Sequence, residues 1–411
     1  MNSVFKNNTG ARNTIILDKK QSTLALLALA MNAFAIGTTE FISVGLLPLI
    51  SQDMHISVAT AGLTVSLYAL GVTVGAPILT SLTSNISRKS LMLWIMIIFI
   101  AGNIIAVSAT SIGILLVARV LSALSHGLFM SIGSTIATDL VQENRRASAI
   151  SIMLTGLTVA TVTGVPLGTF IGQQLGWRAA FILIVIVGII ALIANSIFLP
   201  SDMRKANPTS FRDQFKLITN GRLLLVFIIT ILVSAGTFVV FTYFSPLLQD
   251  ITGFKEATVT VILLVYGVAI VIGNFIGGKV ANRNPIKALF YMFIVHAVVL
   301  LILTFTAPFK TLGLITIILM GLVVFMNVPA LQAYVLILAK RYVPGAIDVA
   351  SAINIAAFNA GIAIGSYLGG LIIGSIGLIH LAWIGALMVV GALLLTGWSH
   401  AIERNDQRRA A

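Results

Sequence analysis

Hydrophobic residues along this chain fall in runs of about 20, separated by short polar stretches, and do not alternate with polar ones at period two. Runs of that length suit an α-helix crossing a hydrocarbon layer about 30 Å thick, and the lack of alternation argues against a membrane β-barrel. Twelve segments can be read, at roughly 24–46, 58–80, 91–109, 111–134, 147–171, 177–199, 222–248, 257–280, 287–306, 311–335, 347–374 and 378–399. The longest polar stretch, Pro200 to Gly221 with Pro208 inside it, lies near the middle. The pattern predicts an all-α membrane protein: a six-helix bundle over 1–199, a cytoplasmic linker over 200–221, a second six-helix bundle over 222–400 and a cytoplasmic tail over 401–411.

Composition agrees, since 58% of the 411 residues are hydrophobic and only 9% charged, too few polar side chains to cover a soluble core of this length. With no cysteine there is neither a disulfide framework nor a thiolate metal site. The net charge of +13 would suit nucleic acid, but its placement speaks for topology. With the N-terminus in the cytoplasm, the basic residues that fall inside are Lys6, Arg12, Lys19, Lys20, Arg88, Lys89, Arg145, Arg146, the cluster from Arg204 to Arg222, Lys279, Arg283, Lys287, Lys340, Arg341, Arg404, Arg408 and Arg409. Only Arg178, Lys255 and Lys310 fall outside, so both termini are expected in the cytoplasm. The first apolar run is too long for a signal peptide and lacks a convincing cleavage site, so it is expected to stay as the first transmembrane helix. The basic ends also suit contact with anionic membrane lipid.

The two sets of six echo one another. Tyr68 and Gly75 in segment 2 have the spacing of Tyr266 and Gly273 in segment 8, and Thr39-Glu40-Phe41 with Pro48 faces Thr242-Tyr243-Phe244 with Pro246. Gly164, Gly168 and Gly172 in segment 5 match Gly361, Gly365 and Gly369 in segment 11. Small residues four apart let helix backbones approach closely, either for ordinary packing or at a moving interface between bundles. A repeated bundle with a site near the midplane is a transporter plan.

Glu40 is the acidic residue inside these apolar runs. A buried charge in hydrocarbon costs several kcal/mol unless it is paired, hydrated or protonated, which makes it a functional candidate. At about 1.5 Å per residue, Glu40 lies about 24 Å along segment 1, and Arg119 about 22 Å from the opposite-running end of segment 4, so the two can share a depth and pair. His126, close to two turns after Arg119, points along a similar face and can relay a proton or simply pack. His296 in segment 9 reads as lipid-facing or packing. Polar side chains in otherwise apolar spans, Asn32, Tyr68, Thr155, Tyr243, Asn274, Asn327, Gln332, Asn354 and Asn359, can bind substrate or bond neighbouring helices.

Several stretches together resemble the major facilitator superfamily, and within it the twelve-helix drug:proton antiporters. Segment 5 reads Gly156-Leu157-Thr158-Val159-Ala160-Thr161-Val162-Thr163-Gly164-Val165-Pro166-Leu167-Gly168, similar to the antiporter motif ending Gly-x-Pro-x-Gly. Leu116 to Gly127 is similar to the family's membrane-embedded arginine motif. With Thr39-Glu40-Phe41, Gly45-Leu46-Leu47-Pro48 and Gly176-Trp177-Arg178, the chain looks closest to the bacterial branch of sugar, arabinose, purine-nucleoside and chloramphenicol exporters. It departs from the family in the loop after segment 2, where Ser81 to Lys89 keeps Arg88 and Lys89 but lacks the usual acid and glycine; the second half has Asn282 where Asp is usual, before Arg283.

The resemblance implies the major facilitator fold of two pseudo-symmetric six-helix bundles, residence in the bacterial inner membrane, a monomer, and proton-coupled efflux of small amphipathic molecules. It implies proton coupling through Glu40, with Arg119 and His126, and conformational roles for Gly156, Gly164, Pro166, Gly168, Arg88, Lys89 and Arg283. The same buried groups could run uptake by symport, and a sensor that binds without transport is a further alternative. No cofactor, metal or nucleic acid is expected, and no His or Asp pair at ligand spacing suggests an intramembrane enzyme.

Overall fold

The computed structural model describes residues 18–83, 85–142, 145–201, 203, 211–344 and 347–410. Among them, twelve helices are long and apolar enough to cross a membrane: α1 (Lys20–Asp53), α2 (Val58–Thr80), α3 (Arg88–Val107), α4 (Ile112–Asp139), α5 (Ser148–Leu175), α6 (Trp177–Phe198), α7 (Gly221–Phe241), α8 (Glu256–Ala281), α9 (Pro285–Thr306), α10 (Lys310–Tyr342), α11 (Val349–Ser375) and α12 (Leu378–Arg404). The predicted segment count holds. Short polar residues start many of them: Ser57, Ser87, Ser111, Asn220 and Asn284 each accept a main-chain N–H of the first turn of α2, α3, α4, α7 and α9. Gly176 (φ 88°) and Gly377 (φ 101°) make the corresponding sharp turns between α5 and α6 and between α11 and α12, in a backbone region that other residues rarely adopt.

Departures from the predicted segments have local causes. α1 runs on to Asp53 with Pro48 inside it. In the predicted tail, residues 401–410 continue the last helix, which ends at Ala410. The linker contains a short helix, Phe211–Thr219; Arg204, Lys205 and Pro208, like Lys6 and Arg12, lie outside the described residues. α5 opens into a π-helical turn over Ala160–Gly164, just before Pro166, whose ring nitrogen cannot bond the carbonyl of Val162. α7 ends at Phe241, ahead of Pro246, and α10 is interrupted after Val324, ahead of Pro329.

The repeat seen in sequence is a repeat of contacts. In the first half the glycine face of α5 lies on α1, where a Cβ at Gly156, Gly164 or Gly168 would meet Ala30, Thr38 or Ile42 within 2.0–2.3 Å. In the second half Gly361, Gly365 and Gly369 of α11 lie on α7 in the same way, against Ser234, Ala235 and Tyr243. These stripes therefore fasten each bundle internally, the ordinary-packing side of the two readings their spacing allowed. The seam itself joins α2 to α11, α5 to α8 and α1 to the end of α7. Ser66 donates to the Ala363 carbonyl (2.8 Å), Thr73 to that of Ala356 (3.3 Å), and Gln173 links to Glu256 (2.9 Å) and Thr260 (2.8 Å). At mid-seam, the Thr161 carbonyl of the π turn lies where a Cβ on Gly267 of α8 would come within 2.7 Å. The Gly-x-Pro-x-Gly motif thus shapes both a face within the first half and a contact across the seam.

Candidate functional site

Glu40 sits on α1 with 9% of its surface exposed, and no described side chain or main-chain group hydrogen-bonds or pairs with its carboxylate. The expected ion pair with Arg119 is absent. Arg119, 1% exposed on α4, instead donates to main-chain carbonyls: its Nη1 to Thr39 (2.7 Å), its Nη2 to Glu40 (3.3 Å) and its Nε to Thr64 on α2 (3.1 Å). Its guanidinium also lies over the Tyr68 ring, 4.1 Å from the centroid. A planar five-donor fork can satisfy several carbonyls at once, so the arginine ties α1, α2 and α4 together and leaves the carboxylate free. Glu40 remains within electrostatic range of both Arg119 and Tyr68.

The Tyr68 hydroxyl lies 3.2 Å from Nδ1 of His126, so tyrosine, arginine and histidine form one buried cluster beside Glu40. His296 is fully buried and neither ring nitrogen has a partner, so of the two expected positions it takes the packing one.

The remaining polar residues divide by what they touch. Asn32 and Asn195 bond reciprocally (3.1 and 2.9 Å), with Met92 sulfur 3.5 Å from the Asn32 amide, which fastens α1 to α6 and α3. Thr230 donates to Asn354 (2.9 Å), Asn354 to Gln332 (2.9 Å) and Gln332 to Ser351, a polar rung across α7, α11 and α10. Tyr243 donates to the Ser366 carbonyl (2.8 Å) and Asn327 to that of Val324 (3.3 Å) where α10 is interrupted. Thr155 is exposed and bonds its own helix at Ser151 (2.8 Å), and Asn274 is exposed. Asn359 bonds Ile355 (3.0 Å) but its Oδ1 is buried without a partner, as is the Tyr266 hydroxyl.

An aromatic cluster, missed in the sequence, forms around Phe41, the residue after Glu40 on α1. Phe41 of α1 reaches across the seam to Phe238 (6.0 Å between centroids), Phe241 (6.1 Å) and Phe325 (6.2 Å) of the second half. Phe358 packs on Phe238 and Phe325, and Tyr266 stacks on Phe241 (5.5 Å) and meets Phe244 (4.6 Å). The sequence signal was present: Phe238 and Phe241, three residues apart, lie near one face of α7, with Phe244 just past its end. Phe41 from the first half and the rings of the second thus form one phenyl wall across the seam.

At the end of the bundle that carries the termini, Arg88 pairs with Asp139 at the end of α4 (2.6 Å), and Lys89 donates to the Ser196 carbonyl (2.8 Å). The acid absent from the loop after α2 is thus replaced by one from α4. At the opposite end Arg178 and Trp177 both donate to Asp53 (2.6 and 2.9 Å), and Arg178 also to the Ala109 carbonyl (2.8 Å), so the Gly176-Trp177-Arg178 turn clasps α1, α3 and α6. Replacing Arg88 or Asp139 by alanine should each lower stability by about 1 kcal/mol, with the double replacement costing no more than either single one, in a thermal-unfolding double-mutant cycle. Additive losses would show that the two act independently.

The family model for the Major Facilitator Superfamily matches residues 29–347. The chain is 72% identical over 391 residues to the uncharacterized MFS-type transporter YtbD of Bacillus subtilis, covering 95% of this chain and 99% of that one. It is 36% identical to the inner membrane transport protein YdhP of Escherichia coli K12, over 90% of this chain and 94% of that one. Among solved structures, a bacterial homolog of the human lysosomal transporter Spinster, inward-facing and occupied, superposes with a TM-score of 0.75 at 14% identity, over 94% of this chain and 98% of that one, a likeness of fold.

Proposed function

The chain belongs to the Major Facilitator Superfamily and is a multi-pass membrane transporter by its relatives and its spans, and from that premise we propose that it is a proton-coupled antiporter exporting small amphipathic molecules from the bacterial cytoplasm. The observation that carries the proposal is the unpaired Glu40 carboxylate beside Phe41, which inserts among the aromatic rings of the opposite half. An ionised carboxylate there attracts a cationic or strongly polarised group, and the phenyl wall takes up the apolar part of the same molecule. Protonation removes the charge and with it the attraction, so proton and substrate compete for one site. Phe41 spans the seam, so a guest among these rings bears on how the halves meet, and differential binding to the two arrangements drives the exchange. The residence we assign is the inner membrane with both termini cytoplasmic, in keeping with the charge asymmetry and with YdhP.

Everted membrane vesicles test this reading. With an acid interior, vesicles carrying the protein should accumulate a fluorescent aromatic cation above vector controls, and an ionophore that collapses the pH gradient should release it. Phe238→Ala should weaken the apparent affinity roughly tenfold, the loss of about 1–1.5 kcal/mol of ring contact. Accumulation only when the gradient is reversed would mark a symporter and overturn the proposal.

A further inference from the structure

A second site lies far from Glu40, at the termini-bearing end of the second half. A cavity of about 440 Å³ opens between the α8–α9 turn, α10 and the end of α12. Its walls carry three cations, Arg283, Lys287 and Arg404, against one acid, Glu403. Among the described residues none of the three cations forms an ion pair, and Nδ1 of His400, also on the wall, is buried without a partner.

The repeat explains why the cavity exists. Tyr68 and Tyr266 are 198 residues apart, as are Gly75 and Gly273, and the shift holds in packing, where Gly71 meets Ala123 and Gly321 meets Ala269. Carried to the termini-bearing end, the same shift takes Arg88 to Ile286 and Asp139 to Ile337, both of which line the cavity. The ion pair that closes the first half is therefore replaced by two isoleucines in the second. Space opens there, and the surrounding cations have no internal carboxylate in Asp139's position.

We propose that this cavity binds the phosphate of an anionic phospholipid. Phosphate supplies the missing negative charge to an Arg and Lys set suited to it. The site also borders a strongly apolar outer surface, since Ile337, Tyr291, Leu394 and Trp398 are 47%, 67%, 68% and 59% exposed, so acyl chains can continue from the headgroup along α9, α10 and α12. A free phosphate ion would use the cations but not that surface.

Native mass spectrometry of the full-length protein in detergent tests it. Supplied with phosphatidylglycerol and phosphatidylcholine of equal chain length, the wild type should retain phosphatidylglycerol selectively, and inorganic phosphate in large excess over the lipid should not displace it. Removing cations singly (Arg283→Ala, Lys287→Ala, Arg404→Ala) should lower retention by roughly fivefold each. Ile337→Asp, which rebuilds the first half's carboxylate, should abolish selectivity while all three cations remain, and so guards against misfolding of the cation variants. Equal retention in these variants, or displacement by inorganic phosphate, overturns the proposal. The readout is binding, so it stands or falls independently of proton coupling at Glu40.

Discussion

Glu40→Gln is expected to abolish proton-driven accumulation and, because the charge that attracts the substrate is gone, to leave only low-affinity substrate exchange that no longer responds to pH. Glutamine keeps the size of the side chain and mimics the protonated acid, but it cannot titrate. Each proton exchanged per substrate across a gradient of one pH unit is worth about 1.4 kcal/mol, or about tenfold in the steady-state ratio. Under a gradient of about two units the wild type should therefore approach a hundredfold accumulation with one proton, and the variant should stay near unity. Steady-state ratios and counterflow of labelled substrate in the same proteoliposomes separate the two functions. If the variant still accumulated substrate, coupling would have to move to the Tyr68, Arg119 and His126 cluster.

Arg119→Ala should be the most destabilising single change in the first half. It removes three charge-assisted hydrogen bonds and the stacking on Tyr68 from a side chain that is 1% exposed. The carbonyls left behind also serve their own helices, so the loss is held to about 3 kcal/mol in total, less than the sum of three isolated charged bonds. Arg119→Lys has a single point charge in place of a planar fork and should recover at most part of that. Unfolding midpoints in detergent, together with the amount of protein reaching the membrane, measure the effect. Unchanged stability with lost transport would mean that the arginine acts on substrate or proton instead of bracing α1, α2 and α4.

The parts of this molecule that sequence revealed are those a bilayer dictates. Hydrocarbon thickness fixes the length of each apolar run, so twelve helices could be counted from the chain, and Pro166, Pro246 and Pro329 mark where the ladder of main-chain bonds is disturbed in α5, α7 and α10. Glu40 stood out because a carboxylate is costly in such a run. Its relation to Arg119 did not, because matching depth is a matter of rise per residue, whereas the choice between a carboxylate and three carbonyls depends on side-chain direction around the helix. Asn195, the partner of Asn32, was one more asparagine in an apolar segment until α1 and α6 were seen side by side. Asp139 lay past the predicted end of its segment, and only the longer α4 brings it to Arg88. The phenyl cluster was hidden for the opposite reason: phenylalanine is so common here that only its seam-crossing contacts distinguish Phe41, Phe238 and Phe325 from lipid-facing rings.

The most direct test of the central claim is proton movement itself. Purified protein in liposomes loaded with a pH-sensitive dye would be given an outward substrate gradient with no initial pH difference. Coupled antiport predicts that substrate leaving the liposome drives protons in, acidifying the lumen in the wild type and not in Glu40→Gln. Alkalinisation of the lumen, or equal acidification in both proteins, would contradict it.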